Sequence, residues 1–282
     1  MTLNNSKIVV LGGRGMLGTD LVKACTEKNF NVQPFDLPGF DITNHAQLEK
    51  IMSAADIVVN CVAYTNVDGA ESEKELAYKV NAEAVGRLGA IARNKNIWVL
   101  HISTDFVFDG RGEKPYGETD QPNPINEYGR TKLEGEKLLM KSGCDYCIMR
   151  VEWTYGSAGN NFVSKLIQRA KNNNTVKVVD DQTGSPTATT QVSKAICIML
   201  DKKPTGLFHF ANSGYVSRYD MAEFIFDNLM MNVDLEPCKT NDYILPAARP
   251  LNSRFDCSKI AELLDEQIES WQTVLERFLN NL

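Results

Sequence analysis

Ile8-Val9-Val10-Leu11-Gly12-Gly13-Arg14-Gly15-Met16-Leu17-Gly18 is the stretch from which the rest of the chain can be read. Four consecutive apolar residues, Ile8 to Leu11, suit a central parallel strand covered on both faces. Glycines at positions 12, 15 and 18 let the backbone turn tightly and approach a pyrophosphate, which then lies on the positive end of the following helix. Leu17, Leu21 and Cys25 recur every four residues and give that helix an inner stripe. Asn31-Val32-Gln33-Pro34-Phe35-Asp36 begins a second strand and closes on an acid. Strand, glycine turn, helix, strand and terminal Asp36 together predict a dinucleotide-binding β-α-β unit whose cofactor is NADH or NADPH.

The alternation continues outward. Residues 56–63, 97–103 and 146–151 read as strands, and residues 71–94 and 126–140 as helices. This order predicts an α/β fold with a doubly wound (Rossmann) parallel sheet. Residues 109–124, rich in Gly, Pro and acidic residues, read as a surface loop. Beyond Gly156 the pattern changes to helix 162–171, strand 175–180, turn 181–186, helix 191–200, strand 207–211, helix 219–230 and a terminal amphipathic helix 270–279. Residues 1–155 are therefore expected to form the dinucleotide-binding domain, with 189–211 returning to it. Residues 156–188 and 212–282 are expected to form a smaller C-terminal α/β substrate-binding lobe.

Composition narrows the function classes. The 282 residues carry 30 basic and 36 acidic side chains, a net charge of -6, which provides no electrostatic footprint for nucleic acid or an anionic membrane. No apolar run reaches the ~20 residues of a spanning helix, and the polar start through Lys7 is unlike a secretory signal, so a cytoplasmic protein is expected. Seven irregularly spaced Cys suggest reduced thiols. Cys144-Asp145-Tyr146-Cys147 lacks a second Cys pair and reads as a strand entering the core. His45, His101 and His209 are scattered, so no metal is expected.

Tyr128 and Lys132 are four residues apart and share one helix face. A free phenol titrates near pH ~10, and a neighbouring ammonium that stabilises the phenolate eases proton donation at neutral pH. Thr104 follows the strand at 97–103, and ligands of doubly wound sheets bind beyond the carboxyl ends of the strands. Thr104, Tyr128 and Lys132 thus make a hydroxyl, phenol and ammonium set.

That set, with Gly-x-x-Gly-x-x-Gly, resembles the extended short-chain dehydrogenase/reductases. Asn60 to Glu71 (NCVAYTNVDGAE), Ser103 to Gly110 (STDFVFDG), Asp181 to Thr187 (DQTGSPT) and Ala248 to Arg254 (ARPLNSR) are similar to the dTDP-4-dehydrorhamnose reductase family over nearly the whole chain. The resemblance implies reduction of the 4-keto group of a nucleotide-linked 6-deoxyhexose. Tyr128 would protonate the oxygen, Thr104 would hydrogen-bond it, and Lys132 would hold the nicotinamide ribose. Gly12, Arg14, Gly15, Met16, Leu17, Gly18, Asp36, Asp41, Ala63 and Tyr64 would bind the cofactor. Thr65 and Val67 would shape the cofactor and sugar cleft, and Trp153 would wall the sugar, the alternative being a core position. The guanidinium forks of Arg249 and Arg254 suit the substrate diphosphate, the alternative being surface salt bridges.

Related dehydratases follow the Thr with Asp and Glu, whereas here Thr104-Asp105 is followed by Phe106, which favours simple carbonyl reduction. A second departure is Glu152: the family carries small hydroxyl residues after the Arg, and Arg150 is followed here by Val151-Glu152. That carboxylate either alters sugar preference or faces solvent. Asp36 would accept from a ribose 2′-hydroxyl and Arg14 could pair with a 2′-phosphate, so activity with both cofactors and a mild preference for NADH is expected. A reductase of another nucleotide-linked 4-keto-deoxysugar remains an alternative. So does a non-enzymatic regulatory subunit resembling the methionine adenosyltransferase β subunit. A homodimer is compatible with the resemblance.

Overall fold

Ile8 to Leu11 are fully buried on an inner strand, next to the edge, of a six-stranded parallel sheet in the computed structural model, which describes residues 6–282. Strand β1 (Lys7–Leu11), helix α1 (Met16–Glu27) and strand β2 (Asn31–Phe35) form the opening unit. Helix α2 (His45–Met52) and strand β3 (Ile57–Asn60) follow. A long helical stretch then comprises α3 (Lys74–Tyr78), a π turn (Lys79–Glu83) and α4 (Ala84–Lys95). Strand β4 (Trp98–Thr104), helix α5 (Glu127–Ser142) and strand β5 (Tyr146–Val151) complete the first half. The second half runs β6 (Thr154–Tyr155), α6 (Phe162–Asn172), β7 (Thr175–Val179), β8 (Thr183–Gly184), β9 (Thr187–Ala188), α7 (Thr189–Lys202) and β10 (Gly206–Phe210). It ends with β11 (Val216–Ser217), α8 (Arg218–Asn228), β12 (Asp234–Cys238), α9 (Ser258–Leu264) and α10 (Trp271–Leu279).

The strand order is β10-β5-β4-β3-β1-β2, so the chain steps from β1 to β2 on one side and returns to β3 on the other. Such a reversal leaves a crevice beyond the carboxyl ends of the strands. Side chains alternate across β1: Ile8 and Val10 pack with α1 and α7, Val9 and Leu11 with α2 and α4. A separate core joins α6, α8 and α10 to the small parallel pair of β7 and β12.

The glycine turn explains how α1 approaches β1. Gly12 has φ +77°, and a Cβ on Gly18 would lie 2.0 Å from the Gly12 carbonyl oxygen. Only a residue without a side chain fits at position 18.

Several elements differ from the sequence pattern. Helix α2, strand β12 and helix α9 lie where no element was expected, because at eight, five and seven residues they are too short to show a clear period. The expected helix at 71–94 is interrupted by the π turn, which buries Asn81. Its amide accepts from the Tyr64 N–H at 2.8 Å and donates to the Tyr64 carbonyl at 3.2 Å and the Thr131 hydroxyl at 3.0 Å. One side chain thereby ties the loop after β3 to α5.

Candidate active site

A cleft of about 800 Å³ opens beyond the carboxyl ends of β1, β3 and β4. Gly12, Gly15, Met16 and Leu17 line one part of it, followed by Asp36 and Asp41. Ala63, Tyr64, Thr65 and Val67 line the middle, and Thr104, Tyr128, Lys132 and Trp153 the far part. Gly18 lies behind the turn, and the Arg14 side chain is exposed outside the cleft wall.

Helix α1 begins in the cleft with no acidic residue in its first turn, so its free N–H groups favour an anion. Asp36 is placed by the turn itself: its carboxylate accepts the Arg14 N–H at 2.9 Å and the Leu37 N–H at 2.8 Å.

Helix α5 presents Tyr128 and Lys132. The Asn126 side chain caps the helix by accepting from the Gly129 N–H at 2.8 Å, and its amide donates to the Ala248 carbonyl at 2.8 Å. Phe106 meets the Tyr128 ring edge-on with centroids 5.5 Å apart. Burial pushes the phenol up to about 12, the Asp105 charge adds to this, and the Thr104 hydroxyl opposes it.

Lys132 points elsewhere than the spacing alone suggests. Its ammonium donates to the Ile102 carbonyl at 2.6 Å and lies 3.4 Å from His101 Nε2, so in this structure it is anchored on β4. Burial pulls it down to about 8, against the opposing influence of Glu136 and Cys61. The Val62 N–H donates to Asn60 Oδ1, which assigns the Asn60 amide nitrogen to His101 Nδ1 at 3.0 Å. Nδ1 must then accept, and the proton of neutral His101 lies on Nε2, facing Lys132. The Nε2–H then faces Lys132 without accepting from it, so the Ile102 carbonyl is the partner that holds the ammonium. His101, expected to be an ordinary structural residue, thus stands directly behind Lys132.

Comparisons with known proteins identify the family. The family described as the RmlD substrate binding domain matches residues 6–282. A dTDP-4-dehydrorhamnose reductase of Aggregatibacter actinomycetemcomitans is 35% identical over 96% of this chain and 97% of that protein. The one of Escherichia coli K12 is 35% identical over 98% and 97%. A solved dTDP-4-dehydrorhamnose reductase from Clostridium acetobutylicum superposes with a TM-score of 0.93 at 37% identity, covering 98% of this chain and 99% of that one. Another from Bacillus anthracis, solved in complex with NADP, gives 0.94 at 34% identity with the same coverage. The chain belongs to the dTDP-4-dehydrorhamnose reductase family.

In this member of the reductase family the far end of the cleft departs from what the sequence motifs suggest. Arg249 is held by Asp68 in a two-pronged pair at 3.0 and 2.8 Å and does not line the cleft. Arg254 is likewise outside the wall, donating to Asn252 Oδ1 at 2.8 Å and to the Glu113 carbonyl at 2.6 Å. Both arginines hold loops together. The contribution of that segment to the site is Ser253, whose hydroxyl donates to Asp105 at 2.6 Å. Asp105 also accepts from the Thr104 hydroxyl at 3.0 Å, and burial pushes its carboxyl up to about 6.

Glu152 does not face solvent. It is 1% exposed and accepts N–H groups from Ser185 at 2.8 Å and Phe255 at 3.2 Å. Burial and the Asp105 charge push its proton affinity well above the usual glutamate range, against these bonds and the Arg218 charge. Trp153 follows it with φ +44°, a strained conformation for an aromatic residue. Its ring is not a bare wall for a hexose, because the Arg218 guanidinium stacks on it at 3.5 Å. Arg218 lines the cleft and was missed in the sequence: 65 positions separate it from Trp153, and Ser-Arg-Tyr opening a helix carries no motif.

Proposed function

We propose that this chain reduces the 4-keto group of dTDP-4-dehydro-L-rhamnose to give dTDP-L-rhamnose, using NADH or NADPH. The observation that carries this reading is the convergence of Thr104, Tyr128 and Lys132 on a cleft whose other end is a side-chain-free turn at a helix N-terminus. The names of the relatives and the NADP bound by the Bacillus anthracis protein support it.

The cofactor residues are Gly12, Gly15, Met16 and Leu17 for the pyrophosphate, Asp36 and Asp41 for the adenosine side, and Ala63 and Tyr64 along the loop after β3. The reduced nicotinamide supplies a hydride to the ketone carbon. Tyr128 supplies the proton: burial keeps the phenol protonated at neutral pH, so it is present to be given as the carbonyl oxygen becomes an alkoxide. Thr104 holds the same oxygen after rotating its hydroxyl from Asp105. Lys132, released from Ile102, binds the ribose and offsets the phenolate charge. Thr65, Val67 and Trp153 bound the substrate side. The lobe of residues 156–188 and 212–282 holds the nucleotide sugar, and a homodimer, testable by light scattering, is the proposed assembly.

Purified protein mixed with dTDP-4-dehydro-L-rhamnose and either NADH or NADPH should oxidise the cofactor and yield dTDP-L-rhamnose. Turnover confined to another 4-keto sugar would displace the named substrate. No turnover on any such sugar would leave the binding-subunit alternative.

A further inference from the structure

A nucleotide sugar brings two phosphoryl groups into the cleft, and the wall offers two cations, Lys132 and Arg218. Lys132 is engaged with the Ile102 carbonyl, and Arg249 and Arg254, the residues expected to meet the diphosphate, are held outside the wall. Arg218 is different in kind. Its guanidinium lies 3.5 Å from the Trp153 ring and 4.5 Å from the Phe162 ring, so aromatic contacts hold the plane of the group. Its backbone is fixed as well: the Arg218 N–H donates to the Gln182 carbonyl at 3.1 Å, and Ser217 caps the helix that begins there.

Among the described residues no carboxylate lies within 4 Å of the Arg218 guanidinium, although Asp105 and Glu152 are near enough to act on its charge. Both of those acids are spent on other donors, Asp105 on Ser253 and Thr104, Glu152 on Ser185 and Phe255. None of the Arg218 nitrogens is a buried atom without a partner, so the N–H edge is open to the cleft. A guanidinium held by aromatic rings, with its donors free, is pre-ordered for an oxygen acceptor.

We propose that Arg218 is the substrate-anchoring cation of this cleft, presenting its N–H fork to an acceptor oxygen of the nucleotide sugar, the diphosphate in the first instance. The assignment rests on the reading of the cleft as a nucleotide-sugar site, but its test does not require turnover. Titration of the protein, saturated with NADPH, with dTDP alone reads the diphosphate contact. Arg218→Met should weaken dTDP about 10- to 100-fold, as expected for losing one or two charge-assisted hydrogen bonds, and raise KM for the sugar substrate by a similar factor. Arg218→Lys, which keeps the charge but loses the flat stack and the fork, should lose about 3- to 10-fold. NADPH affinity should be unchanged in both variants, which also confirms that they fold.

Weaker binding of dTDP assigns the diphosphate. A raised KM for the sugar with unchanged dTDP affinity assigns a hexose oxygen instead and keeps Arg218 as the anchor. Unchanged dTDP affinity and unchanged KM in Arg218→Met would overturn the proposal. If dTDP binding depends on Arg218 while no keto sugar is turned over, the anchor stands and the reductase reading falls.

Discussion

Lys132 Nζ donates to the Ile102 carbonyl at 2.6 Å, which ties the amine of α5 to the end of β4. The side chain is 2% exposed, so its proton is held weakly. Between the folded value near 8 and the ordinary 10.5, the unfolded chain binds the proton and the folded one does not, so this group makes stability rise with pH across that window. The stability difference between wild type and Lys132→Met, measured by urea unfolding without cofactor, should therefore move in favour of wild type by about 1–3 kcal/mol from pH 8 to pH 10. A flat difference would show that Lys132 is not a suppressed ammonium.

Asp105 gives the opposite slope. Its folded value near 6 exceeds the ordinary 3.8, so in that window the folded protein holds the proton, and stability from this group falls as pH rises. The Thr104 and Ser253 hydroxyls can reverse to meet an amide, so Asp105→Asn fits the site. Relative to wild type, Asp105→Asn should gain about 1–3 kcal/mol between pH 4 and pH 7 in denaturant unfolding.

Behind this site Glu136 grips Arg150 at 2.8 and 2.6 Å, with both side chains no more than 3% exposed. Glu136→Ala strands a buried guanidinium. It should cost about 3–5 kcal/mol, read as a lowered unfolding midpoint.

Much of this architecture is legible in the residues. Ile8 to Leu11 is wholly apolar because both faces of β1 are covered, and Gly12 and Gly18 stand where the turn and the helix close together. Tyr128 and Lys132 are readable as a pair because one helix sets their spacing. The orientation of Lys132 is not readable, since it depends on a carbonyl from β4. Arg249 and Arg254 look like phosphate binders until Asp68 and Asn252, distant in sequence or bent back on a loop, take their donors. Arg218 becomes visible only when β11 and α8 are folded against Trp153. Contacts set within one element can be read along the chain, and those made between elements require the fold.

Asp36 stands beside the glycine turn while Arg14 stays exposed, and we propose that Asp36 sets the cofactor preference. Asp36→Ala removes an acceptor for a ribose 2′-hydroxyl and a charge that repels a 2′-phosphate. The ratio of kcat/KM for NADPH over NADH should rise by about 10-fold, roughly 1.4 kcal/mol.

Tyr128→Phe tests the central claim most directly, because it deletes the proton and leaves the ring against Phe106. In assays with dTDP-4-dehydro-L-rhamnose, kcat should fall by about 100- to 10,000-fold while NADPH affinity holds. Turnover close to that of the wild type would contradict the account.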